Sequence, residues 1–139
     1  MKGELMRELR LVWRSPARDD GGRGYADWVR ALRRGRSGVY LIRHFETHEV
    51  LYIGESHRDR LYDTLTRHLQ SWSGFGSGPT YYPGRVQVAV VETEPEEAPY
   101  LQFELIQQFQ PADNVQDGRS LFMPGYDHPE ETADDEVPF

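Results

Sequence analysis

Among the residues between positions 40 and 68, Tyr40, Tyr52, His57, Arg60 and His68 are the ones whose types and spacing could do chemistry. An imidazole titrates near neutrality and can take a proton from water or return one. A guanidinium presents a planar fork of N–H donors that matches the oxygens of a phosphate. Spacing adds to residue type. Arg60, Thr64 and His68 recur every four residues, which puts them on one face of a helix. Arg67 falls about 100° off that face and is expected to look toward solvent. His57 is a second candidate general base. Arg58, Arg67 and Arg36 are further candidates for contact with phosphate oxygens.

Two apolar runs must position the tyrosines. Val39 to Ile42 and Val50 to Ile53 are rich in β-branched and aromatic residues, with a polar turn at Glu46 to His48 between them. That pattern predicts a β-hairpin. Antiparallel pairing sets the start of the first strand beside the end of the second, so Tyr40 and Tyr52 share one end and one face. Gly38 and Gly54 flank that end, where a side chain would crowd a closely approaching ligand or helix. Asp59 is placed to cap a following helix to about Gln70, with Leu61, Leu65 and Leu69 as its apolar stripe. A third strand is expected over 85–91. Thr93-Glu94-Pro95-Glu96 reads as a capping box for a helix to about Gln110, stopped by Pro111. Tyr25 to Leu32 is a short helix closed by Gly35, and Arg30, Arg33, Arg34 and Arg36 cluster at its end. The fold class is α/β of the α+β type, a three-stranded antiparallel sheet flanked by helices.

Gly38-Val39-Tyr40 and Tyr52-Ile53-Gly54, at this spacing and followed by these segments, resemble the GIY-YIG nuclease family over about residues 37–115. The resemblance implies a metal-dependent endonuclease, a hydrolase of phosphodiester bonds. Such chemistry needs an activated water, a cationic group to hold developing charge, and an exit for the leaving oxygen. By resemblance Tyr40, Tyr52, Arg60 and His68 carry it with one Mg²⁺ or Mn²⁺ ion, and the substrate is nucleic acid, DNA for preference. Aligning Arg67-His68 on the family's pattern leaves Thr64 where the family has its arginine; Arg60 lies one turn earlier and can reach the same site.

The last helix departs further. The stretch Leu101 to Asn114 looks like the family's ending, yet Gln102 stands where the family has a metal-binding glutamate. An amide is a much poorer ligand than a carboxylate for a hard cation. Glu104 could serve through a register shift, another carboxylate such as Glu55 or Glu97 could serve, or the site binds nucleic acid without cutting it. The resemblance implies that Gln102→Glu would restore a metal ligand. Asn114 is expected to tie the chain back onto the core.

With no cysteine, disulfides and thiolate metal sites are excluded. No apolar run approaches the length of a membrane helix, and the first residues carry no apolar signal segment, so no membrane partner and a cytoplasmic location are expected. Net charge is −7, but residues 1–70 hold 14 Lys+Arg against 10 Asp+Glu while residues 71–139 hold 2 against 13. The asymmetry leaves two readings open, a basic half that faces a polyanion or an arginine enrichment that reflects coding bias alone. Three segments are expected: an N-terminal helical extension over 1–36, the GIY-YIG-like domain over 37–116, and an acidic mobile tail over 117–139. A long aromatic loop, Ser71 to Gly84, carries Trp72, Phe75, Tyr81 and Tyr82. Loop and tail together leave a protein-interaction adaptor as a further alternative.

Overall fold

Alternation along residues 38–44 decides the architecture. Tyr40 and Ile42 point to one side of the strand and Val39 and Leu41 to the other, and all four are buried. A strand buried on both faces needs a layer on each. The computed structural model describes residues 10–18, 24–69 and 80–115, and supplies both layers around a three-stranded antiparallel sheet.

The elements run in order α1 (Asp27–Arg30, continued by a 3₁₀ turn, Ala31–Arg34), β1 (Gly38–His44), β2 (Val50–Ser56), α2 (Leu61–Arg67), β3 (Val86–Glu92), α3 (Ala98–Phe109) and α4 (Ala112–Val115). Short 3₁₀ turns precede β3 (Pro83–Arg85) and α3 (Pro95–Glu97). Strand β1 is central, with sheet order β2-β1-β3. On one face Tyr40, Ile42, Tyr52, Val86 and Val88 pack with Leu61, Leu65 and Leu69 from the α2 region and Leu32 from the first helical segment. On the other, Val39, Leu41, Ile53 and Ala89 pack with Ala98, Leu101, Leu105 and Ile106. Each fully buried leucine contributes about 1.5–3 kcal/mol of transfer free energy. Among the described residues no helix is long and apolar enough to cross a membrane.

The three strands and the hairpin stand where the sequence puts them, within a residue or two. Several details differ. Asp59 does not cap α2: its backbone is left-handed at φ 59°, and its carboxylate accepts a 2.8 Å hydrogen bond from Ser37 Oγ. The helix starts two residues later, with Arg60 at its N-cap. The expected capping box at Thr93 is also absent, because Thr93 Oγ1 donates to the carbonyl of Glu94 instead. Among the described residues of the N-terminal extension, helix begins at Asp27. In its described residues 10–18, Arg14 bridges the outer edge of β3, its N–H donating to Val88 O at 3.0 Å and Val88 N–H to Arg14 O at 2.8 Å, while Ala17 bridges Tyr25. The acidic tail and most of the aromatic loop lie outside the described residues.

The motif glycines crowd neither ligand nor helix. A Cβ at Gly38 would sit 2.2 Å from the carbonyl oxygen of Val91 on the neighbouring strand. A Cβ at Gly54 would sit 2.3 Å from Cζ and Oη of Tyr40. Tyr40 is registered opposite Gly54 and Tyr52 opposite Ile42, so the phenol of the first triplet covers the glycine of the second. Gly54→Ala is therefore expected to overpack the core by about 1–3 kcal/mol. Each kcal/mol is worth roughly 4–8 °C in Tm for a domain of this size, which a thermal melt reads directly. An unchanged melt would show that the ring moves aside freely.

Candidate functional site

Tyr40 and Tyr52 sit two positions apart diagonally across β1 and β2, with ring centroids 6.4 Å apart. His68, just past the end of α2, closes the group: its ring lies 5.7 Å from Tyr40 and 4.6 Å from Tyr52. The helix is held over the strand by the Leu61 and Leu65 stripe, and by Tyr40 Oη donating to Thr64 O at 3.3 Å. Three of the groups singled out in the sequence thus converge on one sheet face.

They converge as a packed cluster rather than across an open concavity. Tyr40 is fully buried, His68 is 1% exposed and Tyr52 7%. Tyr52 is the ring nearest solvent. Beside it, Tyr81 N–H donates to His68 O at 2.6 Å, and the Tyr81 hydroxyl donates to the carboxylate of Asp113 on α4. A cavity of about 560 Å³ lies next to this contact, lined by His44, Leu51, Tyr81, Tyr82, Arg85 and Val86. Of these, Tyr81 and Tyr82 stand out in the sequence within the aromatic loop, while Leu51, Arg85 and Val86 read only as strand residues, since a strand pattern does not mark a cavity wall.

The cationic candidates separate. Arg60 lies one turn before Thr64, its backbone N–H on Ser56 Oγ at 2.9 Å and its guanidinium 3.6 Å from Asp63. Arg58 is exposed. Arg67 is not solvent-facing as its helical angle predicts: it is 6% exposed. Arg36 is exposed and pairs with Glu92 at 3.5 Å. His57 is bonded through Nδ1 to the carboxylate of Glu55, at 3.1 and 3.2 Å to its two oxygens. The Glu55 side chain is wholly buried and that of His57 is 18% exposed. A carboxylate that orients an imidazole is a geometry suited to proton transfer. Glu55 is registered opposite Val39, on the α3 side of the sheet, whereas the two tyrosines face α2.

Gln102 is occupied differently from a metal ligand. Its Nε2 donates to Ile53 O at 3.1 Å, and the side chain is buried. Asn114 completes the arrangement, accepting from Ile53 N–H at 2.7 Å and donating to Ile53 O at 3.0 Å. Glu104 is only half-buried on another side of the same helix. Among the described residues no three His, Cys, Asp or Glu side chains converge to hold an ion. A divalent cation does not fit position 102, whose amide N–H already faces a carbonyl.

No protein-family model, curated protein or solved structure matches the chain.

The Gln102 contact reverses the expectation that Gln102→Glu restores function. A carboxylate there would face the Ile53 carbonyl and lose a buried donor, at a cost of about 1–3 kcal/mol. Burial would raise the new carboxyl's pKa above its unfolded value of about 4.3. An acid with a raised folded-state pKa is neutral in the native protein while already ionised in the unfolded chain. Stability is then lost as pH rises above the unfolded value. The deficit in Tm against wild type is expected to be small near pH 4 and to widen toward neutrality. A variant equal to wild type at neutral pH, and stabilised by Mn²⁺, would restore position 102 as a metal ligand.

Proposed function

We propose that this chain is an endonuclease of the GIY-YIG type, acting on phosphodiester bonds of nucleic acid, with DNA as the expected substrate. The observation that carries the reading is the convergence of Tyr40, Tyr52 and His68 on one sheet face, with the ring of Tyr40 seated against the glycine of the second triplet. In this reading the Tyr52 phenol, the ring nearest solvent, meets the scissile phosphate or the attacking water. Tyr40 and His68 fix its orientation, and His68 is the proton acceptor within the cluster. Arg60 extends toward the phosphate from the other, N-terminal end of α2, about two turns before His68. His57, held by Glu55, is the alternative base. Phenol and imidazole at this spacing suit general acid–base work, which contributes about 10²–10⁴-fold. Mg²⁺ or Mn²⁺ belongs to the proposal by resemblance alone, and no step is routed through it.

A second reading is favoured by a specific contact. Gln102 bonded to Ile53 O suits a domain that keeps the fold and binds nucleic acid without cutting it. Supercoiled plasmid incubated with the full chain and Mg²⁺ or Mn²⁺ separates the two. The nuclease reading expects nicked circles, reduced about 10²-fold or more in His68→Gln. Retardation of the plasmid with no nicking under either ion leaves the binding module. Neither retardation nor nicking removes both.

A further inference from the structure

We infer that a cavity between the N-terminal segment and β3 holds one unpaired nucleotide of a single-stranded nucleic acid. The inference takes its ligand class from the proposed function, but its support is the cavity's own lining. The space measures about 360 Å³. Arg10, Arg14, Arg34 and Arg36 line it, and all four are exposed. The carboxylate among its lining residues, Glu92, is already paired with Arg36 at 3.5 Å. In a chain of net charge −7 this is a marked local excess of positive charge.

Favourable interaction with a helix C-terminus explains Arg34. It does not explain Arg10 and Arg14, which arrive from a separate segment pinned to Val88 by two backbone hydrogen bonds. Guanidinium forks brought together from independent elements suit the oxygens of a phosphate, and an adjoining phosphate along the same strand.

The interior has a different character. Half-buried Val90 forms an apolar floor over the fully buried Val88, and half-buried Trp28 stands at the wall. The indole is fixed at its edge by Nε1 donating to Ser15 O at 2.8 Å, and the Arg14 guanidinium lies 5.9 Å from its ring centre. An apolar floor beside a fixed aromatic accepts the face of a base, as in sites for unpaired strands. A duplex keeps its base faces stacked inside and could touch only the arginines. Single-stranded nucleic acid is therefore the fitting ligand. Val90 is also registered opposite Tyr40, so a strand seated here lies on the same sheet face as the tyrosine–histidine cluster.

Fluorescence anisotropy of labelled oligothymidylate, alone and annealed to its complement, with the full chain across a salt series tests the inference. The single strand is expected to bind tighter than the duplex. Arg10→Gln/Arg14→Gln should flatten the log–log salt slope for the single strand by about 1.4, from about 0.7 per lost phosphate contact. Arg34→Gln, on a different element, should flatten it by about 0.7 and guards against a folding defect in the first variant. Trp28→Phe should leave the slope unchanged and weaken binding of the single strand alone. Unchanged isotherms in both arginine variants overturn the inference, as does duplex binding equal to the single strand with the same arginine dependence. Plasmid nicking is read separately. Unchanged isotherms in the arginine variants with nicking intact fail this inference alone, and arginine-dependent binding without nicking fails the nuclease reading alone.

Discussion

The backbone of Ile53 is the point on which the structure turns. Strand β2 is an edge strand, and at position 53 its outward N–H and C=O are covered by the C-terminal helices rather than by water. Buried backbone groups need partners, and an edge strand has no neighbour to provide them. Asn114 takes the neighbour's place with both halves of its amide, and Gln102 adds a second donor to the same oxygen. These three hydrogen bonds fix how α3 and α4 sit on β2. They also hold the backbone between Tyr52 and Gly54, the residues on either side. A carboxylate at 102 could not make this contact in its ionised form. Closing the strand edge and holding a cation there are competing uses of one position.

The opposite face of the same strand follows from steric exclusion. Because position 54 has no side chain, the Tyr40 ring can lie against it, and from there its hydroxyl reaches the carbonyl of Thr64. That contact draws α2 close enough for His68 to meet both phenols. Thr64 itself is buried, so a long cation at that position would have no room to extend over the cluster. Arg60 stands at the other end of the helix, with its guanidinium 3.6 Å from Asp63. Positive charge gathers instead around the cavity on the β3 side, where the basic half of the sequence concentrates Arg10, Arg14, Arg34 and Arg36.

What could be read from the sequence was what depends on local pattern. Alternating β-branched and aromatic residues marked the hairpin and the third strand. The leucine period marked α2, and two glycines at strand ends marked the tyrosine pair. Asn114 was legible as a tie to the core, though not its partner. The rest depends on contacts between distant segments. Nothing local shows that Asp59 bonds to Ser37 and so leaves the cap, or that Arg67 is buried where its helix ends. The amide of Gln102 looks like a lost ligand until Ile53 O is seen opposite it. The strip through Arg14 on β3 rests on a single backbone bridge and leaves no periodic trace, so the cavity it builds was invisible.

Single-turnover cleavage of an end-labelled oligonucleotide, with protein held in excess of its measured Kd, isolates chemistry from binding. If the phenol nearest solvent takes part in the reaction, Tyr52→Phe will bind with wild-type affinity and cleave about 10²–10⁴-fold more slowly. Cleavage by Tyr52→Phe at the wild-type rate would contradict a catalytic role for the tyrosine–histidine cluster.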